Sequence, residues 1–186
     1  MKSQKEKDVK SKVALSLALI FLGFILLFVR PSKNVSSNTF ENEPVKVSGF
    51  NQQEIKPEDL PVRIVLPKEN IDLPVSEAKI VNGFWEVFED KAAWGEDSGV
   101  PGQAGNQVIF AHAREGLFMP LKSVKIGDRV YVFTKDMWYA YEVKEIKEVF
   151  PNQKEVIEPT LDETLTLYTC SGYNDSKRLI IVAKRI

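Results

Sequence analysis

Residues 164–170 read Thr-Leu-Thr-Leu-Tyr-Thr-Cys, and this alternation decides the fold. Successive side chains of a β-strand point to opposite faces of its sheet. Leu165 and Leu167 therefore share one face, whereas Tyr168 and Cys170 share the other, more polar face. The pattern predicts a half-buried strand that carries its cysteine on the side away from the leucines.

Further segments rich in β-branched and aromatic residues predict more strands around this one. These strands cover residues 62–66, 71–75, 83–88, 107–112, 129–134, 137–149 and 178–184. A short helix is expected over 118–124 and a loop over 96–107, and long helical periodicity is absent from this part of the sequence. So many strands avoid bare edges most readily by closing into a barrel, so we expect a mainly β domain.

The chain has 186 residues and a net charge of −1, which suits one soluble domain plus a short appendage. We predict a basic cytoplasmic tail over 1–12 and a transmembrane anchor over 13–29. A stalk rich in Ser, Asn, Glu and Pro is expected over 30–60, and the folded domain over 61–186.

The anchor prediction depends on an uncharged apolar run over 13–29, near the lower limit of the roughly 17–25 residues that span a bilayer. Lysines precede this run, which predicts a cytoplasmic N-terminus and an extracellular domain. The alternative is a cleaved signal peptide, with a shorter apolar region and a small-x-small cleavage site. Phe28-Val29-Arg30-Pro31 follows instead, so we expect a single-pass protein of the cell membrane.

The chemistry of the chain centres on Cys170 and His112, its sole cysteine and sole histidine. A thiolate attacks carbonyls, an imidazole moves protons and a guanidinium steadies the developing oxyanion. Arg178 is the candidate guanidinium, because it opens a predicted strand eight positions after the cysteine. These three groups are suited to acyl transfer.

Each candidate also has an alternative interpretation. Cys170 cannot form an internal disulfide, and a lone cysteine is often a small core residue, although its polar strand face weakens that reading. His112 follows an apolar strand, yet a single histidine commonly has no catalytic role. Arg178 is either a solvated arginine at a strand start or, if 171–177 form a loop, the partner facing Cys170 across an antiparallel ladder.

Several other classes of site are excluded or weakly supported. One cysteine and one histidine exclude a structural zinc site. Acidic residues lack EF-hand spacing, although a calcium site in a loop is left open. There is no glycine-rich phosphate loop, and the scattered basic residues argue against nucleic acid as a partner.

The segment Thr166-Leu167-Tyr168-Thr169-Cys170 resembles the signature Thr-Leu-x-Thr-Cys of the sortase family of cysteine transpeptidases. His112 follows an apolar strand and precedes a short helix, and Arg178 opens the last strand, as in that family. The resemblance covers about residues 61–186. Ala111 departs from the glycine that many members have there, and the loop over 171–177 is short.

The resemblance implies a closed eight-stranded β-barrel with short helices, and catalytic roles for His112, Cys170 and Arg178. It further implies that Thr169 assists at the substrate or the oxyanion, and that no cofactor is required. The implied partners are exported proteins with an LPxTG-like C-terminal signal, cleaved between Thr and Gly, and an amine such as one on a peptidoglycan precursor. Val156 and Ile157 are candidates for contact with an apolar side chain of the peptide, with core packing as the alternative.

Three other enzyme classes and one non-enzymatic function are alternatives to cell-wall attachment. A pilin-polymerising relative would use a lysine of another pilin as the amine. Peptidoglycan L,D-transpeptidases carry the histidine close before the cysteine, and papain-like proteases place the cysteine before the histidine, unlike this chain. A membrane-anchored binding module without catalysis is the non-enzymatic alternative.

Overall fold

The computed structural model describes residues 55–186, and ten β-strands lie within that range. In chain order they are β1 (Arg63–Leu66), β2 (Ile71–Ala78), β3 (Ile80–Val81), β4 (Phe84–Trp85), β5 (Ala92–Gly95), β6 (Gly105–Phe110), β7 (Arg129–Phe133), β8 (Trp138–Val149), β9 (Glu163–Ser171) and β10 (Lys177–Arg185). Short 3₁₀ helices lie at Pro57–Asp59, Pro67–Glu69, Met119–Ser123, Lys154–Val156 and Tyr173–Asp175.

Eight of these strands close into a barrel in the order β1-β2-β5-β6-β9-β10-β8-β7. Neighbouring strands are antiparallel except for the parallel pairs β2–β5 and β6–β9. The predicted mainly β fold with barrel closure and short helices is confirmed. Closure leaves no free edge among the eight strands, and it places β6, β9 and β10 side by side in the barrel wall.

The barrel interior is filled by the apolar face predicted for the strand that ends near Cys170. Leu165 and Leu167 are fully buried there, together with Ile109 from β6 and Ile181 from β10. These β-branched and leucine side chains follow the two-residue period of their strands. Burial of this face supplies the main apolar core of the domain.

A second apolar cluster lies on the outer face of the same wall. Phe110 of β6, Tyr168 of β9 and Ile180 of β10 belong to it, and the β3–β4 hairpin covers it with the buried Trp85. The hairpin turns at Asn82-Gly83, where both residues have positive φ, as a two-residue turn of this kind requires. The outer cluster therefore gives a rigid floor beside the cysteine.

Several strand boundaries differ from the sequence expectation: β2 continues to Ala78, β6 ends at Phe110 rather than at 112, and β5 was not expected. The strand expected over 83–88 is limited to Phe84–Trp85, and the loop expected over 96–107 ends where β6 begins at Gly105. Among residues 55–186, no helix has the length and apolar character needed to cross a bilayer. The predicted anchor over 13–29 lies outside the described residues, as do the basic tail and most of the stalk.

Candidate active site

Cys170 is the penultimate residue of β9 and lies on its outer face, two residues beyond Tyr168. Its neighbour Thr169 points the other way and is almost fully buried. The thiol is partly exposed rather than part of the interior core. The structure therefore places the sulfur on an accessible outer surface, supported from below by the barrel wall.

Arg178 is the direct cross-strand partner of Cys170 in the antiparallel pair β9–β10. Side chains of directly opposed residues share one face, with Cβ atoms about 5 Å apart. The arginine is only 3% exposed and lies in a strand that is paired on both sides, so it is not a solvated edge residue. Its Nη1 donates to the carbonyl oxygens of Asp175 at 2.8 Å and Lys177 at 2.9 Å, which fixes the guanidinium against the loop.

The loop that holds Arg178 is compact because several of its residues adopt left-handed backbone conformations. Gly172 has φ 76° and ψ 179°, and Asn174 and Asp175 have φ of 49° and 56°. The glycine is required, since this region is essentially closed to other residues. The resulting short turn directs the Asp175 carbonyl back toward the arginine.

His112 lies two residues beyond the end of β6, which runs parallel to β9. The last paired residues are Phe110 and Tyr168, so His112 and Cys170 each lie two residues beyond the last pair of this ladder. The Thr169 hydroxyl donates a 2.7 Å hydrogen bond to the carbonyl oxygen of Ala111, which ties the two strand ends together. Cys170 and Arg178 thus come from two paired strands, and His112 comes from the segment that follows the neighbouring strand β6.

Burial raises the pKa of the Cys170 thiol above its usual value. The nearby Arg178 guanidinium opposes this effect by favouring the thiolate, and the Asp175 carboxylate adds to it. Because the net direction is upward, most of the thiol stays protonated near neutral pH. Nucleophilic attack then needs a base, which is the role that an adjacent imidazole can fill.

An aromatic stack lies directly behind the reactive side chains. The Phe110 and Tyr168 rings stack with their centroids 4.8 Å apart, and Trp85 stacks on Phe110 at 5.6 Å. Tyr168 is two residues before Cys170 in β9, so these two side chains share the outer face with Phe110, and His112 follows Phe110 by two residues beyond the end of β6. This two-residue spacing is a sequence signal that identifies the floor of the site.

The His112 side chain has a charged neighbour that the sequence pattern did not reveal. Glu89 Oε1 lies 3.6 Å from His112 Nε2, and Glu89 Oε2 accepts a 2.7 Å hydrogen bond from Arg114 Nη1. Glu89 comes from the connection between β4 and β5, far from the histidine in sequence. No spacing rule could have joined these residues, because the contact depends on how the barrel folds.

The remaining candidates have mixed placements. Thr169 is buried, and its hydroxyl is hydrogen-bonded to the Ala111 carbonyl, so it links the two strand ends. Its contact with substrate stays a prediction. Ile157 is 2% exposed and packs in the outer cluster, with the half-buried Val156 beside it. Core packing thus accounts for Ile157. No three potential metal-binding side chains gather within residues 55–186.

Comparison with known proteins supports one family. Residues 64–186 match the Sortase domain family. Sortase A of Bacillus anthracis is 30% identical over 128 residues, which cover 65% of this chain and 57% of that protein. The chain thus spans less than two thirds of the length of this relative.

Solved structures are similar over the same region. The lid mutant of sortase A from Corynebacterium diphtheriae matches with a TM-score of 0.60 and 28% identity, covering 68% of this chain and 70% of that one. Sortase C1 of GBS pilus island 1 matches with a TM-score of 0.57 and 28% identity, covering 67% and 63%. Proteins with this barrel therefore include both sortase A and sortase C types.

Proposed function

The chain belongs to the sortase family of cysteine transpeptidases, and on that premise we propose that it is a membrane-anchored enzyme that attaches exported proteins to the cell wall. It cleaves an LPxTG-like C-terminal signal between Thr and Gly and transfers the acyl group to an amine. The observation that carries the proposal is the direct cross-strand pairing of Cys170 and Arg178, beside the strand β6, which His112 follows by two residues.

The first half of the reaction forms an acyl-enzyme. His112 takes the proton from the Cys170 thiol, and the sulfur attacks the Thr carbonyl carbon of the sorting signal. Negative charge then develops on the carbonyl oxygen, and the Arg178 guanidinium stabilises it. When the tetrahedral intermediate collapses, His112 returns its proton to the departing Gly amine and a thioester remains on Cys170.

The second half transfers the acyl group. An acceptor amine attacks the thioester carbonyl, His112 takes the proton from the amine, and the thiol is regenerated with that proton. The partly exposed position of Cys170 on an open outer face suits an extended peptide followed by a second substrate. The acceptor amine attacks the thioester in place of water because the amine binds at this face and reaches the thioester carbonyl more readily.

The proposed location follows from the apolar run over 13–29 and the lysines before it. An anchor there holds the domain over 61–186 on the outer side of the cell membrane. Sorting signals of exported proteins pass this surface, so enzyme and substrate meet on the same membrane. The proposed partners are those proteins and an amine on a peptidoglycan precursor.

The deciding experiment incubates the full-length chain with a fluorogenic LPxTG-type peptide and an amine acceptor. We expect turnover, an acyl-enzyme on Cys170 detected by intact mass spectrometry, and no activity in Cys170→Ala. Equal activity of Cys170→Ala would contradict the enzymatic mechanism. No peptide turnover and no adduct in the wild-type chain would instead favour the binding module.

A pilin-polymerising activity is the second candidate, because a sortase C1 of a pilus island shares this barrel. The same assay separates the two functions when the acceptor is varied. A preference for peptidoglycan-type amines supports cell-wall attachment, whereas a preference for the lysine of a pilin peptide supports polymerisation.

A further inference from the structure

Glu89 is placed so that one carboxylate contacts both basic side chains of the loop after β6. Its Oε1 lies 3.6 Å from His112 Nε2, and its Oε2 accepts a 2.7 Å hydrogen bond from Arg114 Nη1. A carboxylate at this distance from an imidazole forms an ion pair once the imidazole is protonated. The electrostatic attraction in this contact is therefore strongest at the step of the proposed reaction in which His112 carries the proton.

The histidine side of this contact is held by a folded loop. The backbone N–H of Phe118 donates to the His112 carbonyl at 3.1 Å. The Arg114 carbonyl accepts from the N–H groups of Leu117 at 3.1 Å and Met119 at 3.4 Å. These bonds turn the chain back on itself, so His112 and Arg114 present their side chains from a fixed backbone.

The glutamate side is also anchored, although Glu89 itself is exposed. Just before it, the Glu86 N–H donates to the Lys79 carbonyl at 3.0 Å, and Phe88 packs against the outer cluster. Just after it, β5 enters the barrel wall through fully buried residues. Arg114 then fixes the direction of the carboxylate, leaving Oε1 on the histidine.

We propose that Glu89 is a positioning residue that holds His112 by Nε2 and stabilises the imidazolium formed when His112 takes the Cys170 proton. This inference rests on the proposed function in assigning that proton transfer to His112. With Nε2 facing Glu89, Nδ1 is the nitrogen that receives the proton from sulfur. The imidazole gains one positive charge in this step, and the carboxylate on its far side compensates it.

The charge of Glu89 is expected to affect the reactivity of the Cys170 thiol. A protonated thiol reacts slowly with electrophiles, and the thiolate is the reactive form. Stabilising the imidazolium raises the fraction of the thiolate–imidazolium pair, so removing the Glu89 charge lowers the reactivity of Cys170. Glu89 is 77% exposed, so we expect an effect of about three-fold, as for a surface ion pair.

The experiment measures iodoacetamide alkylation of Cys170 in the full-length chain at about pH 7, together with kcat and KM for a sorting peptide. The variants are Glu89→Gln, which removes the charge, and Glu89→Asp, which keeps it. Asp90→Asn is the matched control, because it removes the same charge one residue away, where the carboxylate pairs with Lys91 at 3.8 Å. Melting temperatures establish that every variant is folded.

We expect Glu89→Gln to slow alkylation and to lower kcat about three-fold with KM unchanged. Glu89→Asp is expected to recover most of this loss, and Asp90→Asn is expected to match the wild type. Equal alkylation in Glu89→Gln and Asp90→Asn would overturn the inference, as would an effect on KM alone. Alkylation needs no sorting peptide, so the alkylation rates decide the role of Glu89 by themselves. Failure of the wild-type chain to turn over the peptide would count against the proposed function and not against the role of Glu89.

Discussion

At Cys170, burial and the Arg178 charge act on the pKa of the thiol in opposite directions. Burial is the largest effect and raises the pKa, whereas the Arg178 guanidinium favours the thiolate and lowers it. Asp175, on the loop between them, adds to the upward shift. In its proposed role as nucleophile, Cys170 therefore depends on its partners for activation, because the thiol is not permanently ionised.

The raised pKa predicts how Cys170 reacts with iodoacetamide across pH. The alkylation rate will rise with pH, with a midpoint above the roughly 8.5 of a free cysteine, because only the thiolate reacts. In Arg178→Gln the midpoint will move further up, since the opposing positive charge is gone. Mass spectrometry of the labelled chain measures both rates, with Cys170→Ala as the unlabelled control. A midpoint below that of free cysteine would disprove the proposed dominance of burial.

Arg178→Lys is expected to lower kcat/KM by about 100-fold or more, the usual cost of losing one oxyanion donor. Lysine keeps the charge but cannot reproduce the planar fork that bonds the Asp175 and Lys177 carbonyls. Kinetics with a fluorogenic sorting peptide test this, with circular dichroism to establish folding. Lys177→Gln is the control, because that exposed side chain pairs only at the surface with Glu148. Near-native turnover by Arg178→Lys would remove the oxyanion role.

At the scale of elements, patterns within one strand were predictable and contacts between distant segments were not. The alternation over 164–170 correctly predicted which face carries Cys170, and the loop over 171–177 correctly predicted Arg178 as its cross-strand partner. The strand β5, Ala92–Gly95, was missed because alanine and glycine are depleted in strands, and Trp94 is its one residue of a type enriched there. The dipeptide Asn82-Gly83 is a hairpin signal in the sequence, and it forms the turn between β3 and β4.

The loop between β9 and β10 provides a prediction at this scale. Gly172 and Gly116 both have φ of 76°, but a Cβ on Gly172 would lie 2.8 Å from Ser176 Oγ, whereas one on Gly116 meets nothing within 4 Å. Gly172→Ala is expected to cost about 1–3 kcal/mol of unfolding free energy and to reduce kcat by displacing the Asp175 carbonyl from Arg178. Gly116→Ala will cost less, because its Cβ meets no neighbouring atom. Urea unfolding and kinetics measure both, and equal effects would contradict the steric argument.

At the scale of the whole molecule, two apolar clusters share one wall. The interior cluster closes the barrel, and the outer cluster attaches the β3–β4 hairpin through Trp85, whose Nε1 donates to the Glu96 carbonyl at 3.0 Å. Closure into a barrel could be expected from the strand pattern, whereas the count of eight strands came from the family resemblance. The outer layer could be expected only in part, because Tyr168 follows the two-residue period of its strand but the other members are spread from Ala78 to Ile180.

Gly95→Ala tests the attachment of this outer layer. A Cβ on Gly95 would lie 2.4 Å from the Trp85 ring, so the ring has to move and the stack with Phe110 loosens. We expect a loss of about 1–3 kcal/mol in unfolding free energy, the usual cost of overpacking. In a Trp85→Leu background the same change will cost much less, because the obstructing ring is absent. Additive costs in the double variant would show that the two residues act independently.

The strands β6, β9 and β10 are each hydrogen-bonded to a neighbour on both sides. The relative position of Cys170 and Arg178 is thus set by ladder register, so neither strand can shift along the other without breaking its hydrogen bonds. Altered recognition must instead come from the connections that border the outer face, residues 86–91 and 150–162. Libraries that seek new sorting motifs should randomise these two connections and keep the wall constant. A single inserted residue in β9 would by contrast turn the cysteine inward and abolish acyl transfer while leaving the connections intact.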